Sequence, residues 1–109
     1  MVLIVNSLQT RDDFKRFILE HKNSLIVVKF YADWCKPCKK IKDVVYDLFK
    51  NVEHNSKILI NVNIESGRDI KSYFRIRQFP TLMSIKDGMP DKIVASSDID
   101  DLNKFFSSL

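Results

Sequence analysis

Leu25-Ile26-Val27-Val28-Lys29-Phe30-Tyr31 runs directly into Ala32-Asp33-Trp34-Cys35-Lys36-Pro37-Cys38. The first seven residues are β-branched, aromatic or aliphatic at every position but Lys29, the pattern of a strand covered on both faces. Beyond the cysteines, Ile41, Val44, Val45, Leu48, Phe49 and Val52 recur at spacings of three and four. Lys39, Lys40, Lys42, Asp43, Asp47 and Lys50 take the opposite side, so an amphipathic helix follows the strand. The stretch is therefore a strand, a short loop and a helix, and the loop carries both cysteines of the chain.

Outward from this unit the same alternation continues. Val2 to Val5 is a short apolar run read as a strand. Thr10-Arg11-Asp12-Asp13 has the hydroxyl and acid of a capped helix start, and Phe14, Phe17, Ile18 and His21 share the face of a helix that should end near Asn23. Downstream, Ile58 to Ile64 is an apolar strand interrupted by Asn61 and Asn63. Ser66 is the expected cap of a short helix carrying Ile70, Tyr73 and Phe74. Leu82 to Ile85 and Ile93 to Ala95 flank a Lys86-Asp87-Gly88 turn as a hairpin, with Pro90 suited to an edge. Ser97-Asp98-Ile99-Asp100 opens a last helix with Leu102, Phe105, Phe106 and Leu109 facing inward. The order β-α-β-α-β-α-β-β-α predicts an α/β fold, a mixed sheet of five strands flanked by four helices.

A length of 109 residues fits one domain, residues 1–109, and 45% hydrophobic with 29% charged residues suffices for a core and a solvated surface. Met1-Val2-Leu3-Ile4-Val5 is too short for a secretory leader or a membrane span, so a cytoplasmic protein without membrane attachment is expected. The net charge of +4 is spread over scattered lysines with no aromatic-basic motif, which argues against a nucleic-acid partner.

Two thiols separated by two residues, with no third cysteine, close a small disulfide only with each other. A thiol attacks as its thiolate, and an ordinary cysteine with a pKa of about 8.5 is mostly protonated at neutral pH. Cys35 falls where the helix begins, beside unpaired N–H groups, the positive end of the helix dipole and Lys36, Lys39 and Lys40. Cys35 is thus the expected attacking thiol. Cys38, one turn further in and more enclosed, suits resolution of a mixed disulfide by attack on Cys35. Pro37 in the first turn costs no hydrogen bond and stiffens the loop. Other uses of the pair are weighed beside this one. A structural zinc takes four ligands, and only His21 and His54 stand by to help, on different elements. A metal or iron–sulfur centre shared between two chains needs no other residue and stays open. A merely buried pair fits poorly with the flanking tryptophan and lysine.

Ala32-Asp33-Trp34-Cys35-Lys36-Pro37-Cys38-Lys39 after an apolar strand, with Phe79-Pro80-Thr81 downstream, resembles the thioredoxin family along essentially the whole chain. The resemblance implies a protein-disulfide reductase that needs no bound cofactor or metal. Its partners would be protein disulfide substrates and a thioredoxin reductase or equivalent electron donor, and the protein would act as a monomer. It further implies that Pro80 is a cis-proline opposite the cysteines and that Phe79 offers its backbone to an extended substrate. Trp34 would shield the disulfide and touch substrate, with Lys36, Pro37 and Thr81 completing the groove. The alternatives are a binding or assembly module on the same fold, or a more oxidising oxidase or isomerase.

Several positions depart from the family pattern. Lys36 replaces a glycine, which should stabilise the thiolate and make the disulfide more oxidising. Lys29 replaces a buried aspartate six residues before the first cysteine, a residue thought to manage the proton of the second. Lys29 is accordingly a catalytic candidate, either neutral as a base or charged beside a thiolate. The other outcome is structural, the stem along the core and the ammonium in water. The lysine usual opposite that aspartate aligns with Val62, the kinking proline of the second helix with Asp43, and a groove glycine with Ser96. Tyr31 is expected to pack.

Overall fold

A computed structural model describes residues 1–109. Nine elements follow in the expected order: β1 (Val2–Val5), α1 (Arg11–Glu20), β2 (Leu25–Tyr31), α2 (Lys36–Lys50), β3 (Lys57–Asn63), α3 (Arg68–Tyr73), β4 (Thr81–Lys86), β5 (Met89–Val94) and α4 (Ile99–Ser107). The five strands form one sheet in the order β1-β3-β2-β4-β5. β3 pairs in parallel with β1 and β2, whereas β4 runs antiparallel to β2 and β5.

Strand alternation divides the core into two layers. Ile26, Val28 and Phe30 of β2 join Ile58, Ile60 and Val62 of β3 under Phe14 and Ile18 of α1 and Ile70 of α3. On the other face Leu25, Val27 and Leu59 meet Ile41, Val45 and Phe49 of α2 and Leu102, Phe105 and Phe106 of α4. The central strands are apolar at nearly every position because both faces are covered. The same alternation aims Lys29 toward the α2 layer, with Asn61 beside it in register.

The hairpin turn rests on Asp87 and Gly88, both with positive φ (55° and 78°), the backbone of a two-residue turn that glycine adopts at low cost. β5 is an edge strand, longer at its start than Ile93 to Ala95, and Pro90 lies inside it opposite Ile85. A register shift between Met83 and Ile85 is bridged by Lys92 N–H donating to Ser84 Oγ at 2.9 Å.

Helix starts follow the sequence with one exception. Thr10 Oγ1 accepts from the Asp13 N–H at 3.1 Å, and Asp98 Oδ1 accepts from Asp100 and Asp101. Ser66 does not cap α3: its N-cap is Gly67, which makes no side-chain bond. A Cβ on Gly67 would stand 2.6 Å from Val62 Cγ1 and 2.9 Å from the Asn63 carbonyl, so this position is set by close approach. Asp69 turns instead to the start of α1, accepting from the Arg11 N–H at 2.7 Å and from its guanidinium. Those bonds, the backbone one foremost, hold the Asp69 carboxyl below the usual aspartate range. α1 also ends earlier than Asn23, at Glu20, where His21 Nδ1 lies 2.8 Å from the Phe17 carbonyl and the ring stacks on Phe17.

The other end of α2 is closed by a residue of β3. Lys57, at 5% exposure, donates from Nζ to the carbonyls of Phe49 (3.0 Å), Lys50 (2.6 Å) and Val52 (2.6 Å). A helix C-terminus presents unpaired carbonyls and partial negative charge, and a buried ammonium meets both needs. No helix is long and apolar enough to cross a membrane.

Candidate active site

β2 ends at Tyr31, and the chain turns through Ala32, Asp33 and Trp34 before α2 begins at Lys36. The turn is closed by Cys35 N–H donating to the Ala32 carbonyl at 3.2 Å, and Asn63 Nδ2 holds the Asp33 carboxylate at 3.2 Å. Cys35 is the N-cap of α2, and its Sγ accepts from the Cys38 N–H at 3.2 Å. A sulfur has taken the place where a serine or aspartate oxygen normally satisfies an orphan helix donor. That position favours negative charge on Cys35 when the pair is reduced.

Cys35 and Cys38 are joined in a disulfide. Both are 4% exposed, so the expectation that Cys38 is the more enclosed of the two does not hold for the closed pair. Ala32 is buried with them, and Tyr31, Ile64 and Phe79 pack against the bridge. Tyr31 thus packs, as the sequence indicated. Lys36 and Pro37 lie exposed in the first turn of α2, and Trp34 is 66% exposed with its ring edge-on to Phe79 at 6.2 Å.

The segment before β4 approaches from the other side. The Phe79–Pro80 bond is cis. The Phe79 carbonyl oxygen lies 3.7 Å from Cys35 Sγ, a contact that becomes a hydrogen bond only once Cys35 carries a thiol proton. Phe79 makes no backbone–backbone hydrogen bond within the chain. Thr81 Oγ1 closes the loop by donating to the Gln78 carbonyl at 2.7 Å, while Thr81 itself is buried and pairs with Phe30. Trp34, the cysteines, Phe79, Pro80 and Thr81 therefore come together from two distant segments.

Lys29 is buried at 6% exposure, with no hydrogen bond or ion pair to the protein; its Nζ stands 5.8 Å from the centre of the Tyr31 ring. It lines a pocket of about 370 Å³ together with Cys38, Asp33, Lys39, Lys42 and Asn61. Burial lowers the Lys29 pKa below the ordinary lysine value, and the nearby Lys42 charge acts in the same direction. Asp43 opposes them without coming close enough for an ion pair. Sequence reasoning singled out Lys29 but missed Asn61, Lys42 and Asp33 as its surroundings. The available signal was the equal strand position of Lys29 and Asn61, readable only once β2 and β3 are known to pair in parallel. Ser96 lies away from this pocket and is taken up by α4, its Oγ donating to Asp101 at 2.7 Å and accepting from the Asp98 N–H at 3.0 Å.

A family model described as Thioredoxin matches residues 5–108. The chain belongs to the thioredoxin family. A thioredoxin of Rickettsia felis is 34% identical over 79 residues, covering 72% of this chain and 73% of that protein. Among solved structures, the reduced thioredoxin pre-protein of Schistosoma mansoni superposes with a TM-score of 0.84 at 25% identity, covering 97% of both chains. The thioredoxin of Fasciola hepatica gives 0.82 at 26% identity, again over 97% of both. Membership in this family makes the chain a thiol–disulfide oxidoreductase. Around the disulfide the chain places two cations, Lys36 exposed in the loop and Lys29 buried beneath it.

Proposed function

We propose that the protein reduces disulfides of protein substrates, with Cys35 as the attacking thiol and Cys38 as the resolving one. The observation that carries this reading is the Cys35 sulfur at the N-cap of α2, accepting the Cys38 N–H. In the reduced protein the Cys35 thiolate attacks one sulfur of the substrate disulfide. That S–S bond breaks, a Cys35–substrate bond forms, and the departing substrate sulfur takes a proton. Cys38 then loses its proton and attacks Cys35 Sγ, which frees the second substrate thiol and leaves the Cys35–Cys38 disulfide. Two electrons and two protons pass to the substrate, and a reductase partner restores them.

The surface assigned to the substrate is formed by Trp34, Lys36, Pro37 and Phe79, with Pro80 and Thr81 buried behind it. The free backbone groups of Phe79 suit an extended segment pairing as an added strand. A reductant works where thiols are kept reduced, so we assign the protein to the cytoplasm as a monomeric electron carrier. The reduction potential tests the direction. A value more negative than about −200 mV is expected, and a value above about −150 mV, in the range of dedicated oxidants, would overturn it.

Lys29 is assigned, in its charged form, to stabilising the thiolate that Cys38 becomes as it resolves the mixed disulfide, because both side chains open into the same pocket and no other buried cation does. Lys29→Met should slow release of the mixed disulfide by on the order of tenfold or more, which stopped-flow measurement of the second step reads. The same variant should stabilise the oxidised protein at neutral pH by about 1 kcal/mol, since it removes an unpaired buried charge. The sign follows from linkage: with its folded pKa lowered, the unfolded state binds more protons. The cost of the charge is fully present below the folded pKa and fades as pH rises toward 10.5, and the advantage of the variant fades with it. A variant that leaves the second step unchanged would assign Lys29 to structure.

A further inference from the structure

The two buried lysines of the α2 layer have opposite fates. Lys57 spends its three donors on the carbonyl end of α2. Lys29 sits under the other end of the same helix, where the exposed backbone groups are N–H donors and the dipole is positive, so the helix offers an ammonium nothing. Its amine points into the pocket beside Cys38 unpaired, although a buried charge without a counter-charge is among the costliest groups a fold can keep. Lys39 and Lys42 line the same pocket from α2. The only carboxylate in the lining, Asp33, is engaged by Asn63 Nδ2. Three ammonium groups against the one carboxylate of the lining, with Asp43 acting on Lys29 from outside it, leave the pocket positive, in a partly enclosed space where charge is weakly screened. Asn61 adds a further unmet requirement: Nδ2 donates to Asn6 Oδ1 at 2.9 Å, while Oδ1 is buried with no donor. An apolar ligand would answer none of these groups, and a cation would meet only the Asn61 oxygen while facing the lysines. An oxyanion supplies acceptors to the lysines, and one that keeps a proton, as phosphate does, also carries the kind of donor Asn61 lacks.

We propose that this pocket binds a small oxyanion, held by Lys29, Lys39 and Lys42 against the Cys38 side of the disulfide, and that its occupancy favours the oxidised state. The second part follows from reciprocity. Reduction places thiolate charge next to the site and weakens the anion, so the anion must oppose reduction by the same factor.

The test is titration of the oxidised full chain with inorganic phosphate at constant ionic strength, with chloride making up the balance and amide chemical shifts as the readout. Saturating shifts are expected at Ala32, Cys38 and Asn61, with affinity weakened at least about tenfold by Lys29→Met and several-fold by Lys42→Gln, an exposed position that does not threaten folding. Linear shifts, shifts reproduced by chloride, or full affinity in both variants would overturn the site. A parallel titration with acetate separates the sources. Saturation by phosphate alone assigns a free anion, whereas saturation by acetate as well assigns a site that also takes an acidic side chain of a docked protein. If binding to the oxidised form is threefold tighter than to the reduced form, saturating phosphate lowers the potential by about 14 mV, from 29.6 mV per tenfold. An unchanged potential under saturating phosphate would overturn the redox coupling. None of these readouts uses turnover, so they stand apart from the catalytic assignment of Lys29.

Discussion

Cys38→Ser is expected to stop the catalytic cycle at a mixed disulfide. The Cys35 sulfur caps α2 and meets substrate first, but the bond it forms can be cleaved from within the chain only by the sulfur one helical turn on. The two are already bonded here, so no rearrangement of α2 is needed to bring them together. A well-placed intramolecular group has an effective concentration that reaches on the order of 10⁵ M, far above the millimolar thiol of an assay buffer. Turnover should therefore fall by at least about a thousandfold, and a covalent complex of protein and substrate should persist on non-reducing gels. Cys35→Ser should lose turnover to the same extent without forming the complex. Complexes of equal abundance in both variants would mean that the roles of the two cysteines are not distinct.

Lys57→Met should be strongly destabilising. The three carbonyls of Phe49, Lys50 and Val52 would lose a charged donor in a place that water does not readily reach. Hydrogen bonds to a charged group contribute about 1.5 to 3 kcal/mol each, and part of that is recovered when the helix end relaxes. A net loss of about 2 to 4 kcal/mol follows, or a fall in melting temperature of about 10 °C or more. The comparison with Lys29→Met makes this informative. Both substitutions replace a buried lysine of the same layer by the same apolar residue, yet the account gives them opposite signs, because one ammonium has three acceptors and the other has none. Melting of the two oxidised variants side by side checks it, and a loss of similar size in both would show that burial of the stem, not the pairing of the charge, sets the cost.

This pair also marks how far the sequence could be read. The central strands announced themselves because burial on both faces demands apolar residues at each position, and α2 did so through its three- and four-residue spacing. Thr10 caps where local pattern placed it and the α4 cap falls inside the expected Ser97–Asp100 stretch, at Asp98, since a capping bond spans two or three residues. Ser66 failed as a cap because Asp69, the acid of that box, is drawn to Arg11, a partner 58 positions away. Lys57 gave no signal as a cap for α2: at the edge of an apolar run it reads as the charged boundary of a strand, and only the return of β3 alongside the helix brings its ammonium to those carbonyls. The loop that holds the cysteines was legible for the opposite reason, its chemistry being confined to five consecutive residues. The pocket around Lys29 lay between these cases. An odd lysine in an apolar strand was visible, but its neighbours Asn61, Asp33 and Lys42 come from β3, the β2–α2 turn and α2, and composition alone does not bring them together.

The central claim is that the start of α2 makes Cys35 the nucleophile. It is tested most directly by the rate of iodoacetamide alkylation as a function of pH, in Cys38→Ser for the Cys35 thiol and in Cys35→Ser for the Cys38 thiol. The account predicts a midpoint for Cys35 well below the ordinary cysteine value of about 8.5 and a higher midpoint for Cys38. A Cys35 midpoint at or above that value, or a lower one for Cys38, would contradict it.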